Sequence, residues 1–391
     1  MRRQPSVPRA DWRQTAESHG FAFHSPGGTV YWDESHFYDF SLTEIEVGLE
    51  APAAELDGMC LEIVRRAVKD GETLGKLGIP EPFWDYVARS WNRNEPALYG
   101  RMDFAFDGAG PAKLYEYNAD TPTSLYEASV FQWIWLEQMR AAGRLAPAAD
   151  QFNSLHEKLV QRFAALGMTG ALHLTAAGQS LEDMGTIDYL ADCARQAGLA
   201  THVLGIETIG VDNRGRFTDG DDHVIGALFK LYPWEWLLGE DFARHIPGSG
   251  CRFVEPAWKT ILSNKGLMAL LWDAFPGHPN LLPAYFEGDS HAAELGDRYV
   301  RKPLLSREGA NVEIVLPTRP GALAKRAASP GPYGAEGHIL QAWHPLPRFQ
   351  GRRPVCGVWL VGGEAVGLGM REGDGDVTTD AARFVPHAIT H

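Results

Sequence analysis

The sequence predicts a composite α/β fold, and three observations carry that expectation. Over residues 168–245, short apolar runs and one helical stretch follow in the order strand, helix, strand, which is the order of a parallel α/β layer. At 98–118, two alternating segments flank a polar Asp107-Gly108-Ala109-Gly110 turn. From residue 299, five strand-like segments succeed one another, and Gly362-Gly363 between the last two is a hairpin signal.

In chain order, residues 1–95 read as mostly helical, with aromatic clusters at Tyr31-Trp32, Phe37-Tyr38 and Phe83-Trp84. Residues 123–142 read as one helix: Thr123 can cap it, Glu127 falls in its first turn, and apolar residues recur at helical spacing through Trp135 and Met139. The α/β layer places strands at 171–174, 201–204 and 224–231, a helix at 181–197 and a turn at Asn213-Arg214-Gly215. A helix is expected at 260–275, then strands at 299–304, 312–316, 338–343, 355–361 and 365–371. The stretch 318–337, rich in Pro, Gly and Ala, reads as a loop and a candidate lid.

Composition bounds the function. The chain has 391 residues, and its hydrophobic and charged fractions of 45 % and 22 % are those of a globular protein with a sizeable core. A net charge of −14 argues against a duplex nucleic-acid binder, which needs a basic face to displace counterions from phosphates. The four cysteines, Cys60, Cys193, Cys251 and Cys356, form no Cys-x-x-Cys pair, as expected of buried thiols in a reducing compartment. No apolar run is long enough to span a bilayer, and the N-terminus lacks the apolar core of a signal peptide, so a cytoplasmic protein is expected.

The most informative segment is 101–118. Side chains alternate between the faces of a strand, so Arg101 and Asp103 share one face while Met102, Phe104 and Phe106 share the other. If the strands pair symmetrically about the turn, Asp103 lies opposite Glu116 and Arg101 opposite Asn118. Two opposed carboxylates repel unless something positive neutralises them, and hard oxygen donors gathered this way suit Mg²⁺. Taken alone, the pattern equally fits a solvated polar face.

Three stretches carry a family resemblance: Leu114-Tyr115-Glu116-Tyr117-Asn118-Ala119-Asp120-Thr121-Pro122-Thr123, Arg301-Lys302-Pro303-Leu304-Leu305-Ser306-Arg307-Glu308-Gly309-Ala310-Asn311, and Gly369-Met370-Arg371-Glu372 with the nearby Arg383-Phe384-Val385-Pro386-His387. The Tyr31-Trp32-Asp33-Glu34-Ser35 and Phe229-Lys230-Leu231-Tyr232-Pro233-Trp234-Glu235 segments add to it. Together they resemble the glutathionylspermidine synthase family, in its stand-alone form without an amidase domain. The resemblance implies a permuted ATP-grasp fold with a preceding α/β domain. It divides the chain into a mainly helical segment at 1–97, a metal-ligand hairpin and helix at 98–145, a pre-ATP-grasp α/β domain at 146–255 and a nucleotide-binding region at 256–391.

The resemblance also implies an ATP- and Mg²⁺-dependent carboxylate–amine ligase working through an acyl phosphate. Asp103, Glu116 and Asn118 would hold Mg²⁺. Lys265, Lys302 and Gly309 would hold the ATP phosphates, and Gln341 and Trp343 would lie beside adenine. Arg101, Arg307 and Arg371 would neutralise the transferred phosphoryl group. Thr121, Thr123 and Glu182 are candidate contacts to a peptide or amino-acid carboxylate and an amine. Leu231 and Thr379 stand where the bifunctional synthetases carry polar residues, so the substrate pair stays open. A homodimer would fit the family. A non-catalytic ATP-binding module and an ATP-grasp phosphotransferase are the competing expectations.

Overall fold

A computed structural model describes residues 1–317 and 330–390 in full and the backbone of 318–319 and 322–327. The site is built on two five-stranded sheets. One runs in the order Arg383–Val385, Glu364–Gly373, Arg353–Val361, Tyr99–Ala105, Lys113–Asn118, with every neighbouring pair antiparallel. Its central strand Arg353–Val361 is apolar on both faces and almost wholly buried, as a strand covered on both sides must be. Gly362 and Gly363 turn it back on itself at φ of 60° and 90°, the left-handed backbone that a tight hairpin needs.

The register at the site end of the other hairpin is the expected one, with Asp103 opposite Glu116 and Arg101 opposite Asn118. Met102, Phe104, Leu114 and Tyr117 enter the core on the far side. The symmetry ends there. The register shifts after Asp103, so Phe104 faces Leu114 and Tyr115 is the extra residue.

The second sheet runs Ala284–Phe286, His338–Ala342, Tyr299–Pro303, Glu313–Arg319, Ala322–Ala327. The stretch 318–337 is therefore not loop throughout, because the backbone of Ala322–Ala327 pairs antiparallel with Glu313–Arg319. Residues 320–321 and 328–329 of the expected lid lie outside the described residues. The helix expected at 260–275 is also shorter. A 3₁₀ turn at Ala257–Thr260 precedes it, and the helix itself spans Gly266–Ala274.

The parallel layer is ordered Arg252–Val254, Ala227–Leu231, Leu172–Ala176, Thr201–Gly205, with helix Leu181–Gln196 packed on it. The first 95 residues hold the expected helices, Ala51–Ala67 the longest, but also two unanticipated strands, Arg2–Pro5 and His36–Phe40. These form a sheet with His387–Ile389. Arg3 grips Glu372 with two hydrogen bonds of 2.8 and 2.7 Å, and Tyr38 donates to the same carboxylate at 2.6 Å, so the N-terminal sheet braces the residue beside Arg371.

One buried pair ties the hairpin to the parallel layer. Lys230 donates to Asp120 at 2.7 Å and to the Tyr232 carbonyl at 2.9 Å, and Asp120 accepts from the Trp234 amide at 2.8 Å. Neither side chain of the pair is exposed. Burial pulls the Lys230 ammonium below its ordinary value, opposed by the Asp120 charge. Removing one partner leaves a buried charge uncompensated, which costs about 3–5 kcal/mol. Urea unfolding of Lys230→Met is expected to show a loss of that order, with Asp120→Asn/Lys230→Met recovering part of it.

Candidate functional site

All the residues singled out from the sequence line one cleft between the two five-stranded sheets, which encloses about 1640 Å³, part of it open to solvent. At its centre stand Asp103 and Glu116. Arg101 donates to both Asp103 oxygens at 2.7 and 3.1 Å, and Arg371 reaches the same carboxylate at 2.6 Å. The Asn118 amide lies 3.2 Å from Asp103 and 3.3 Å from Glu116. Lys265 pairs with Glu116 at 3.0 Å. Burial pushes the Glu116 carboxyl up, but Lys265 and Lys302 outweigh it and hold the group well below the ordinary range. The repulsion between the opposed carboxylates is thus met by four cations from separate parts of the chain.

Arg101 has its place because Gly357 on the neighbouring strand has no side chain. A Cβ there would come within 2.8 Å of the Arg101 side chain. The guanidinium lies over the Trp359 ring, 5.6 Å from its centroid, and donates to the Thr123 carbonyl. Thr123 does not cap the following helix. Ser124 takes a left-handed φ of 69°, and helix begins at residue 125.

Toward one end the cleft is apolar, lined by Leu282, Val300, Ile314, Leu346 and Val355, with Trp343 and Tyr115 beside them. Lys302 donates to Gln341 at 2.7 Å and to the Tyr115 carbonyl at 3.2 Å, and Lys265 to the Ser306 carbonyl at 2.6 Å. Gln341 Nε2 and Ser306 Oγ are buried without hydrogen-bond partners among the described residues. Gly309 has φ of 70°, and a Cβ there would meet Val377 at 2.7 Å and the Thr378 carbonyl at 2.9 Å, so the 305–311 loop packs closely on that segment.

The other end is acidic. Arg307 donates to Thr121 at 2.8 Å and pairs with Glu235 at 3.0 Å. Burial, together with the neighbouring Glu127, Asp183 and Glu308 charges, pushes the Glu182 carboxyl up to about 8. Such a surface favours a cationic ligand. Sequence reasoning gave no site role to Glu235, Tyr31 or Asp120, although all three line the cleft and lie in the resemblance segments, the one signal that could have marked them. Among the described residues no group of three or more His, Cys, Asp or Glu side chains is arranged to hold a metal. A cation at the centre would therefore rest on two carboxylates, an amide oxygen and its ligand's own oxygens.

The family model described as "Glutathionylspermidine synthase preATP-grasp" matches residues 3–390. A Haemophilus influenzae protein named "Putative acid--amine ligase" is 42 % identical over 399 residues, covering 99 % of each chain. The trypanothione synthetase of Crithidia fasciculata is 25 % identical, over 87 % of this chain and 56 % of its own length. The bifunctional glutathionylspermidine synthetase/amidase of Escherichia coli is 27 % identical, over 88 % of this chain and 58 % of its own. The chain thus spans little more than half the length of these last two. Among solved structures, a glutathione synthetase-like effector of Globodera pallida matches with a TM-score of 0.57 at 13 % identity, covering 98 % of each chain. That likeness is one of fold, and it agrees with the α/β class expected from the sequence. No helix among the described residues is long and apolar enough to cross a membrane.

The buried lysine gives the cleft a pH signature. Burial lowers the Lys302 ammonium to about 8 from an ordinary 10.5, against the pull of Glu116. The folded chain therefore holds fewer protons than the unfolded chain between those values. The group costs stability below pH 8, and the cost fades as pH rises from 8 to 10.5. A polyphosphate placed beside Lys302 restores its charge. Calorimetric titration with tripolyphosphate at pH 9, in two buffers of different ionisation enthalpy, is expected to show proton uptake that is absent at pH 6.5 and in Lys302→Met.

Proposed function

This chain belongs to the glutathionylspermidine synthase family, whose named members form C–N bonds, and we propose that it is an ATP- and Mg²⁺-dependent carboxylate–amine ligase working through an acyl phosphate. The observation that supports this most is the meeting, in one cleft, of opposed carboxylates, two buried lysines, three arginines and an apolar slot.

The donor set fits Mg²⁺. It is all oxygen once the Asn118 amide turns, since the amide nitrogen now lies 3.2 Å from Asp103 and 3.3 Å from Glu116, and hard oxygen donors suit that ion. Asp103, Glu116 and Asn118 would hold the ion, which would neutralise phosphate charge. Lys265 and Lys302, now resting on Glu116 and Gln341, would turn to the phosphates. Gln341 Nε2 and the Trp343 segment would meet the base in the apolar slot.

A substrate carboxylate beside Arg101 and the Thr121–Thr123 segment would attack the terminal phosphorus. Arg101, Arg307 and Arg371 would balance the charge that spreads over the phosphoryl oxygens, so catalysis is mainly positioning and electrostatics. The acidic end around Glu182 would receive the amine, which then attacks the acyl carbon and expels phosphate. The 305–311 loop would exclude water, which otherwise hydrolyses the acyl phosphate.

Three outcomes are expected. A screen of peptide carboxylates against amines, read by ADP release and product mass, should find ADP formation that requires both partners. ADP formation with the carboxylate alone, leaving a stable phospho-compound, would instead make this a phosphotransferase. ATP-induced thermal stabilisation with no turnover on any pair would make it a binding module. Asp103→Ala and Glu116→Ala should each lower turnover by roughly 10²–10³-fold, the scale of losing preorganised charge. Gly357→Ala should push Arg101 off Asp103 and lower turnover by about 100-fold, as an ångström of misplacement does, in a variant whose far-UV circular dichroism still matches wild type although its melting temperature falls. An unaltered rate in that variant would show that Arg101 does not act.

A further inference from the structure

Behind the cleft wall lies a buried acid that the reading above leaves unused. Helical backbone from residue 125 to Ala141 includes a π turn at Glu127–Phe131, a distortion common at functional sites, and Glu127 opens that turn. Its side chain is wholly buried, and Oε2 has no hydrogen-bond partner. Its other oxygen accepts from the Tyr31 hydroxyl at 2.5 Å, and that hydroxyl also lies 2.9 Å from Ser124 Oγ. Tyr31 itself lines the cleft between the Thr121–Ser124 segment and Glu182. A tyrosine that lines the cleft is thus wired, through its hydroxyl, to a carboxylate that solvent does not reach.

We propose that Tyr31 and Glu127 form a proton relay that deprotonates the amine substrate of the ligase reaction. The inference rests on the ligase reading. An alkylamine arrives as its ammonium and has no lone pair until one proton leaves. In the relay the ammonium proton passes to Tyr31 Oη while the Tyr31 phenolic proton passes to Glu127 Oε1. The freed nitrogen lone pair forms the C–N bond, the bond from the acyl carbon to the phosphoryl oxygen breaks, and its electrons leave on phosphate. The second nitrogen proton leaves with that phosphate, and Glu127 later returns its proton to solvent through Tyr31.

The surroundings suit the task. Burial raises the Glu127 carboxyl to about 7, opposed by the Tyr31 hydrogen bond and by the Arg101 and Arg371 charges. Glu182 is the further acidic neighbour that Tyr31 and Glu127 both feel. A base near 7 is matched to neutral operation. The Tyr31 phenol is held far above its ordinary value by burial and by the Glu127 and Glu182 charges, so it passes a proton in one concerted exchange and never stands as a phenolate. Tyr31 is thus the catalytic contact to the amine, and Glu127 acts through it.

The test uses the full chain, ATP·Mg²⁺ and a panel of glycine-terminated peptides, with either spermidine or hydroxylamine as nucleophile. Hydroxylamine is uncharged at neutral pH and attacks without the relay. If wild type releases no ADP in a carboxylate-dependent way, the ligase reading itself fails. If wild type turns over, Tyr31→Phe and Glu127→Gln should each slow spermidine amide formation by about 100-fold. Hydroxamate formation should fall less than threefold. The inflection of the wild-type spermidine rate near pH 7 should vanish in both variants, whose rates should instead climb steadily with the free-amine fraction toward about pH 10. Equal losses with both nucleophiles would assign the pair a structural role. Undiminished spermidine rates would remove the relay and leave the ligase reading standing.

Discussion

Two carboxylates set face to face on adjacent strands, one buried and the other partly so, are the constraint around which this molecule is arranged. Left alone, Asp103 and Glu116 would repel strongly at the reduced dielectric of a cleft. The chain answers with Arg101 from the same strand, Arg371 from two strands away, and Lys265 and Lys302 from the far side. Lys302, from the second sheet, also donates to the Tyr115 carbonyl at 3.2 Å and so links the two sheets beside the carboxylates. On the proposed reading, an arriving polyanion and its cation would exchange partners with charges already gathered in the cleft.

The supports of that centre are less visible but as necessary. Gly357 leaves the volume that Arg101 fills, and Trp359 floors it. The Asp120–Lys230 pair pins the segment after Asn118 to the parallel layer. Glu372, held by Arg3 and Tyr38, steadies the strand that presents Arg371. A short N-terminal strand thus has a bearing on a site more than three hundred residues further along the chain, which gives that sheet a reason beyond stability.

How much of this was legible depended on the range of the interaction. The pairing of Asp103 with Glu116 could be read from alternation and symmetry about the turn, although the pairs next to the turn are one residue off that register and the extra residue Tyr115 restores it. The bulge after Asp103 could not, because nothing local marks the extra residue. The strands Arg2–Pro5, His36–Phe40 and His387–Ile389 are too short to show a period, and their partners are remote in sequence. The helix at Gly266–Ala274 falls short of the expected 260–275 because residues 261–265, which start apolar like the helix they precede, form turns after the 3₁₀ segment Ala257–Thr260. Lys265, Lys302 and Arg371 stood out only through family resemblance, since periodicity says nothing about which distant cations converge. Glu127 was read as an ordinary first-turn acid. Its link to Tyr31 spans 96 positions, so only the fold could show it.

The central claim is that Asp103, Glu116 and Asn118 gather one divalent ion against a triphosphate held by Lys265 and Lys302. A crystal soaked with Mn²⁺ and a non-hydrolysable ATP analogue tests it most directly, through the anomalous signal of the metal. The account predicts a single strong peak bonded to all three side chains, with Lys265 and Lys302 moved from Glu116 and Gln341 onto the phosphates. A peak elsewhere, or a nucleotide bound while those two lysines keep their present partners, would contradict it.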